Sequence, residues 1–307
     1  MASPLHVLAR ISPSSVDDLR ERVRRLDELG ASGLLVTDHL FGVQQGVRVP
    51  RLDPLTTLAA AAMLTDRLEL GTIVVNTAFL HPALVFRQFA QVAQLAGGDR
   101  VLAGIGAGWA RDEFEALGWE IPPFAERMAR FEETLQIGRA LYDTGSATVA
   151  GKYVSVKDLP LAPRPERAPR LLIGGGSDDL LRLAGRYADV IDLNGSSRRI
   201  AVGGANPRLR DSQRRLTTTI ADLRDSRSSV QAAAVEAGRS PDAVAISLLL
   251  QAPVFCSMSE VEREEARLCE EVGLPAQSLA DCAYVLVGPP QAMAEKLQRL
   301  VAEVGAT

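Results

Sequence analysis

The feature that most constrains the fold is a regular alternation of short apolar, β-prone runs with amphipathic helical patterns. Apolar residues recur at helical spacing from Val16 to Leu29, and Gly30 then ends the predicted helix. Asp53 followed by Pro54 predicts an N-cap and a first helical position, and Pro290 predicts the start of the closing helix. The predicted strands cover residues 5–9, 34–37, 68–75, 101–105, 171–173, 190–193, 244–255 and 284–287. The predicted helices cover residues 16–29, 53–65, 82–96, 125–142, 179–187 and 290–304.

Eight strand-like runs interleaved with helices over 307 residues fit a closed parallel barrel better than an open doubly wound sheet. The sequence therefore predicts an α/β fold, a single (β/α)8 TIM barrel. No linker interrupts the pattern, so residues 1–307 are expected to form a single domain.

Two segments depart from the alternation. Residues 147–156 place Gly151 and Lys152 between short β-prone runs, which predicts an inserted surface hairpin. Residues 198–227 hold eight arginines against three aspartates, and the first half of this stretch is too long and polar for a tight connection. It predicts either a polar flap over the barrel mouth, at about residues 196–215, or a solvated insertion.

Composition and charge exclude several classes of protein. A net charge of -4 argues against nucleic-acid binding, and no apolar run approaches the ~20 residues that span a membrane. The first residues lack the pattern of a signal peptide, so we expect a cytoplasmic protein. The three cysteines are too widely spaced for a metal knuckle, which predicts reduced structural thiols and no metal site.

A glycine-rich run after the fifth predicted strand is the strongest local signal for a ligand. Gly174, Gly175 and Gly176 allow a sharp turn and a close approach of the backbone, and Ser177 is a good N-cap for the next helix. Free N–H groups at such a junction favour an anion, usually phosphate, although a tight strand-to-helix turn without a ligand has the same sequence. Gly106-Ala107-Gly108 follows the fourth strand with a similar composition. Two such strand ends suggest a cofactor lying across neighbouring loops.

Polar residues at other strand ends complete the candidate site, because barrel enzymes place their chemistry there. His39, which follows the second strand, is a candidate proton donor or acceptor or a partner of a flavin ring; the alternative is a packed or capping histidine. Asp38 precedes it and is suited to holding the backbone or the ring. Asn76 and Thr77 follow the third strand, where they suit the edge of a heterocycle, and Asn194 follows the sixth. His81 is expected to cap a helix and His6 to be structural.

A series of motifs in order along the chain resembles the luciferase-like flavin and deazaflavin oxidoreductases. The motifs are Gly71-Thr72, His81-Pro82, Ala96-Gly97-Gly98-Asp99-Arg100, Gly106-Ala107-Gly108-Trp109, Glu113-Phe114, Leu117-Gly118, Arg130-Phe131-Glu132-Glu133, Gly174-Gly175-Gly176, Ala188-Asp189 and Val287-Gly288-Pro289. The resemblance covers about residues 16–195, with a weaker match at 284–304. It implies a (β/α)8 barrel that binds coenzyme F420 or FMN at its carboxyl-terminal mouth.

The resemblance also implies roles for individual residues. His39 matches the strand-two histidine that is catalytic in bacterial luciferase and in the sugar-phosphate branch of the deazaflavin enzymes. Val75-Asn76 matches the position of a non-prolyl cis peptide against the central ring, and Gly175 and Gly176 match the backbone donors to the cofactor phosphate. The sugar-phosphate branch carries a tryptophan soon after the histidine and a glutamate in the strand-four loop. Leu40–Val43 and Gly106–Trp109 lack them, which argues against sugar-phosphate dehydrogenation.

The resemblance thus implies an oxidoreductase whose reduced ring exchanges hydride with an organic substrate or activates oxygen. F420 is the first choice of cofactor. The alternatives are an FMN-dependent monooxygenase fed by a separate flavin reductase and a flavin-binding protein without turnover. Phe41, Val43, Phe79 and Trp109 suggest an apolar substrate, unless they belong to the core. We further expect a homodimer without nucleic-acid or membrane partners.

Overall fold

The structure is a computed structural model that describes residues 5–44, 46–97, 99–162, 164–195, 213–251, 253–279 and 281–307. The chain divides into two compact units, Met1–Ile173 and Gly174–Thr307. The predicted flap at 196–215 lies outside the described residues except for its last three positions.

The first unit is built on a parallel sheet with the order β1-β2-β5-β7-β10, and β6 also pairs with β7. Its strands are β1 Leu8–Ile11, β2 Gly33–Val36, β3 Phe41–Gln44, β4 Val47–Pro50, β5 Glu69–Thr72, β6 Val75–Asn76, β7 Val101–Gly106, β8 Ser146–Ala150, β9 Ser155–Pro160 and the first four residues of β10 Arg170–Gly175. Its helices are α1 Val16–Glu28, α2 Pro54–Ala62, α3 Pro82–Ala96, α4 Arg111–Ala116 and α5 Phe124–Thr144. The predicted alternation of strands and helices is confirmed here, with three differences. His6 precedes β1 instead of lying within it, the predicted strand 68–75 is divided into β5 and β6, and α4 was not predicted.

Helix starts in this unit follow the predicted capping chemistry. The Asp53 carboxylate accepts a hydrogen bond from Thr56 N at 2.8 Å, with Pro54 at the first helical position. His81 occupies the N-cap position of α3, but its side chain makes no capping hydrogen bond. The helix nevertheless has the predicted bounds, because its apolar face is buried against the sheet.

Two antiparallel hairpins extend from the first unit. The predicted surface hairpin is present as β8 and β9. Its turn is fixed by Glu133, whose carboxylate accepts hydrogen bonds from the backbone N–H groups of residues 152, 153 and 154 at 2.7–2.8 Å. The hairpin of β3 and β4 was not predicted, since its strands of four residues are too short for a clear alternation.

The second unit contains the end of β10, then α6 Asp178–Tyr187, β11 Val190–Leu193, α7 Ile220–Glu236, β12 Ala245–Leu248, β13 Val254–Phe255, α8 Val261–Glu271, β14 Val287–Gly288 and α9 Pro290–Arg299. β11 pairs with β12 and β13 pairs with β14, both in parallel. Cys256, Cys269 and Cys282 are free thiols. None of the described helices combines the length and the apolar character needed to cross a membrane.

The predicted strand at 244–255 is present only as β12 and β13, and of the predicted strand at 284–287 only Val287 belongs to a strand. Residues 283–286 are buried but lie outside any regular ladder, and the fully buried Tyr284 sits in a bend. An apolar run predicts that a segment is buried, but it does not by itself distinguish a strand from another buried segment. Residues 220–227 of the polar stretch 198–227 form the start of α7, whose N-cap Thr219 makes a capping box with Asp222.

Candidate functional site

The first unit brings His39 and Glu113 together across 74 positions of sequence. The Nδ1 atom of His39 lies 2.7 Å from Oε1 of Glu113. His39 follows β2, and Glu113 lies in the first turn of α4, which follows β7. The Glu113 side chain is only 2% exposed, whereas that of His39 is 30% exposed. A buried carboxylate therefore holds one ring nitrogen of a partly accessible histidine.

This contact defines the chemistry that the imidazole can perform. An ionised carboxylate only accepts hydrogen bonds, so the proton of a neutral His39 ring belongs on Nδ1. Nε2 is then an acceptor that can exchange a proton with another molecule. The alternative of a merely packed histidine is not favoured, since the ring combines a buried partner with an exposed edge.

Asp38 is half-buried beside this pair and links two strand ends. Its Oδ2 accepts a hydrogen bond from Asn76 N at 2.8 Å. Burial raises the pKa of Asp38 to about 6, and the negative charges of Asp53 and Glu113 act in the same direction, while the bond from Asn76 opposes them. The predicted role of holding the backbone agrees with this contact.

Asn76 and Thr77 are buried, and most of their polar atoms serve the local backbone. Thr77 donates to Gly106 O from both its hydroxyl, at 2.9 Å, and its N–H, at 3.1 Å. Asn76 Oδ1 accepts from Ala78 N at 3.0 Å. Gly108, at φ +77°, is required here because a Cβ would lie 2.3 Å from Asn76 Oδ1. These residues shape the strand ends, and their contact with a heterocycle remains a prediction.

The cis peptide that the resemblance placed at Val75-Asn76 lies instead between Ile73 and Val74. Val75 and Asn76 are extended and form β6, whose partners in β7 are Ile105 and Gly106. The sequence position was wrong by two residues, because a motif match does not fix which peptide of a short bulge is cis.

The predicted aromatic residues divide into core and surface. Phe79 packs edge-on against Phe114, with ring centroids 4.9 Å apart, and Phe41 is buried. Trp109 is 43% exposed, and its ring is edge-on to His39 at 6.1 Å. Val43 is exposed on the hairpin of β3 and β4. Trp109 is therefore the aromatic residue best placed to contact a substrate near His39.

In the second unit, the predicted glycine run is partly strand and partly turn. β10 extends through Gly174 to Gly175, whose carbonyl accepts from Asn194 N at 3.2 Å. Ser177 is the N-cap of α6, and its hydroxyl accepts from Leu180 N. A Cβ on Gly176 would lie 1.9 Å from Gly195 O. The close approach of backbone at Gly176 that the sequence predicted is present, and one group that approaches it is the carbonyl of Gly195 in the same polypeptide.

Asn194 and its neighbours form a buried polar region that sequence analysis described only in part. Asn194 Oδ1 is buried and has no hydrogen-bond partner among the described residues. The hydroxyl of Tyr284 donates to Leu193 O at 2.6 Å and accepts from Gly195 N at 3.0 Å. Burial raises the pKa of the nearby Asp192 to about 7, although the charge of Arg215 and a bond from Ser247 lower it. An orphaned amide oxygen in such a region fits a polar ligand.

The residue that sequence analysis missed in the first unit is Glu113. It was recognised only as part of a motif, since no local pattern connects it to a histidine that lies far away in sequence. The signal that was available is its position two residues inside a helix that follows a glycine-rich strand end. Other motif residues serve the fold: Arg130 donates to Ala78 O at 2.9 Å, and Arg100 donates to Leu68 O at 2.6 Å.

Comparison with known proteins identifies the family. A family model described as Luciferase-like monooxygenase matches residues 2–307. The chain belongs to this family. The family that the motifs predicted is thereby confirmed, and the family model covers more of the chain than the motifs do.

Curated relatives carry the name F420-dependent glucose-6-phosphate dehydrogenase. The protein of this name from Amycolatopsis mediterranei is 32% identical over 174 residues, which cover 56% of this chain and 51% of that protein. The one from Kribbella flavida is 28% identical over 284 residues, which cover 90% of this chain and 82% of that protein. The chain thus spans about half the length of the first of these relatives.

Solved structures agree with this chain over nearly its full length. They include an F420-dependent secondary alcohol dehydrogenase, with TM-score 0.71, 18% identity and coverage of 99% of this chain and 91% of the other. The long-chain alkane monooxygenase LadA has TM-score 0.72, 16% identity and coverage of 100% and 86%. At such identities the likeness concerns the fold, and it confirms the predicted α/β fold of (β/α)8 type.

Proposed function

We propose that this protein is an oxidoreductase that uses coenzyme F420 to exchange hydride with an apolar organic substrate. The observation that carries the proposal is the His39–Glu113 pair at the carboxyl end of β2, in a chain of the luciferase-like family. F420 is the first choice because curated relatives and a solved structure of the same fold are named as F420-dependent enzymes.

His39 is proposed as the residue that gives or takes a proton at Nε2, and Glu113 as the residue that positions it. When bound, F420 or FMN supplies the ring that carries a hydride. A positioned acid–base group typically contributes about 10²–10⁴-fold to the rate. Asp38 carries a second proton site beside the pair, since the pKa of about 6 lets it change its charge near neutral pH.

The residues of each unit fit part of such a cofactor by themselves. In the first unit, the accessible edge of His39 and the strand ends at Val75–Thr77 and Gly106–Gly108 would receive a ring. In the second unit, the segment Gly174–Ser177, here named the glycine turn, and the orphaned amide of Asn194 would receive a phosphate group. Cofactor contacts at all these residues are part of the proposal.

The substrate is proposed to be apolar and aromatic or long-chain, because Trp109 exposes a large ring edge-on to His39. A sugar phosphate is not proposed, since Leu40–Val43 and Gly106–Trp109 lack the tryptophan and the glutamate of that branch. We further propose a cytoplasmic homodimer, a single domain over residues 1–307, and a reductase that supplies the reduced cofactor.

A second candidate is an FMN-dependent monooxygenase. It is favoured by the structural likeness to a long-chain alkane monooxygenase, whose TM-score equals that of the F420-dependent alcohol dehydrogenase within 0.01. Both cofactors carry a tricyclic ring and a phosphate, so one site suits either.

Titration of the purified protein with F420 and with FMN, each followed by absorbance and fluorescence, separates these candidates. We expect tighter binding of F420 and bleaching or recovery of its absorbance when a panel of alcohols, aldehydes and aromatic compounds is added. His39→Ala should retain the affinity for the cofactor within about twofold and lose about 10²–10⁴-fold in turnover, while the control His81→Ala should behave as wild type. Absence of binding to either cofactor would contradict the proposed function.

A further inference from the structure

The stem of Arg214 packs beside Gly195, whose carbonyl oxygen lies against the glycine turn. A Cβ on Gly176 would lie 1.9 Å from Gly195 O and 3.2 Å from Asn194 O. A Cβ on Gly195 would in turn lie 3.4 Å from Cγ of Arg214. The two glycines therefore bring the backbone of the glycine turn, the end of β11 and the stem of Arg214 into close proximity.

Arg214 is a partly buried cation whose charge is not used within the described residues. Its Nε atom is buried without a hydrogen-bond partner, and no ion pair joins its guanidinium to a carboxylate in that part of the chain. Asn194 Oδ1, in the residue before Gly195, is also buried and has no hydrogen-bond partner within the described ranges. Because an amide exchanges its oxygen and nitrogen by a flip of the side chain, Asn194 can donate as well as accept there.

Its neighbour Arg215 has a different electrostatic role. The charge of Arg215 acts on the buried carboxyl of Asp192, whose Oδ1 also accepts from Ser247 Oγ at 3.2 Å. Asp192 therefore has a counter-charge, and Arg214 is left to serve another anion. Consecutive residues of a helical turn point about 100° apart, which is consistent with this division.

The glycine turn by itself is a weak site for an anion. Ser177 Oγ already accepts from Leu180 N, and Asp178 and Asp179 occupy the first turn of α6. Their carboxylates satisfy the positive end of the helix dipole and repel a second anion. A phosphate held at this turn needs a cation from another element.

We propose that Arg214 is this cation. Its guanidinium, together with the amide of Asn194, binds the phosphate group of the ligand at the glycine turn. The inference rests on the proposed function, since it assigns a phosphate-bearing cofactor to this chain. It adds a side-chain charge to a site that the sequence predicted from backbone groups alone. Arg214 binds the phosphate as a charged partner, which is typical of guanidinium groups.

The test compares Arg214→Gln with wild type on two pairs of ligands, one member of each pair with the phosphate and one without; FMN and riboflavin differ in the phosphate alone. Dissociation constants are measured for FMN and riboflavin, and for F420 and its phosphate-free deazaflavin core. We expect Arg214→Gln to weaken the phosphate-bearing ligands by about 10–100-fold, as for loss of a hydrogen bond to a charged group, and the phosphate-free ones by less than twofold. Arg224→Gln removes one exposed arginine from α7 and should leave all four constants unchanged.

The outcomes separate this inference from the proposed function. Equal affinity of Arg214→Gln and wild type for the phosphate-bearing ligands, or an equal loss for both kinds of ligand, would overturn the role of Arg214. If wild type binds neither cofactor, the proposed function fails. In that case, the rise in melting temperature produced by inorganic phosphate still decides the inference: its loss in Arg214→Gln supports the anion site, and its persistence contradicts it.

Discussion

Replacement of Glu113 by glutamine should release His39 from a single tautomer. The Glu113 carboxylate lies 2.7 Å from Nδ1 of His39 and its side chain is 2% exposed, so it retains the proton on Nδ1 and leaves Nε2 as the acceptor. Glutamine preserves the size of the side chain but removes the charge, and its amide group can present either a donor or an acceptor to the ring.

The size of the effect follows from the kind of hydrogen bond that is lost. A hydrogen bond to a charged group contributes about 1.5–3 kcal/mol, and one between neutral groups contributes about 0.5–1.5 kcal/mol. The difference is about 1–1.5 kcal/mol, which changes the ratio of the two tautomers by about fivefold to tenfold. Turnover should fall by no more than this factor, because it follows the fraction of His39 rings whose Nε2 is free to accept a proton.

Long-range proton–nitrogen correlation spectra of the imidazoles measure the tautomers directly, since the chain has only three histidines. His6 and His81 serve as internal references, and Glu115→Gln, an exposed change in the same helix, is the control. We expect Nδ1–H to dominate at His39 in wild type at pH 8 and to decrease only in Glu113→Gln. A wild-type ring with its proton on Nε2, or an unchanged spectrum in the variant, would refute the positioning role of Glu113.

Two further predictions concern the second unit. The pKa of about 7 for the buried Asp192 exceeds its ordinary value of 3.8, so the folded state binds the proton more tightly, and the free energy of unfolding should fall between about pH 4 and pH 7 by at most about 4 kcal/mol. Asp192→Asn should remove this decrease, as urea unfolding at pH 5 and pH 8 would measure, and an equal pH dependence in the variant would contradict the assignment. Gly176→Ala should destabilise the protein by about 1–3 kcal/mol in thermal unfolding, because its Cβ meets the backbone oxygen of Gly195 at 1.9 Å. Gly175→Ala should also destabilise the protein, because Gly175 has φ +157°, although its Cβ meets only the movable end of Leu180; an unchanged melting temperature of Gly176→Ala would show that the turn is not limited by the contact with Gly195.

Local patterns predicted the elements whose signals are complete within a short window. The bounds of α3 followed from its apolar periodicity and Pro82, and the start of α6 followed from the N-cap Ser177. Helix α8 was missed because Cys269 is its only buried residue, so its pattern is dominated by charges. The ion pairs of Arg263 and Arg267 with glutamates three and four residues away stabilise such a helix without an apolar stripe.

The strands near the end of the chain show the limit of the same method. Residues 283–286 are as apolar as a strand, but Tyr284 is buried in a bend where its hydroxyl bridges Leu193 O and Gly195 N. Hydrophobicity reports that a segment is buried. Which backbone groups it pairs with depends on partners that are distant in sequence.

The sequence by itself determined the α/β class, the family and the strand ends at which the candidate residues lie, because these depend on periodicity, capping and short motifs. Only the tertiary structure decided that Glu113 holds His39, that Asp38 bonds to Asn76 N, and that Arg214 packs against Gly195. The physical reason is that a carboxylate's role depends on which charge and which degree of burial the fold places beside it. A short window of sequence contains neither.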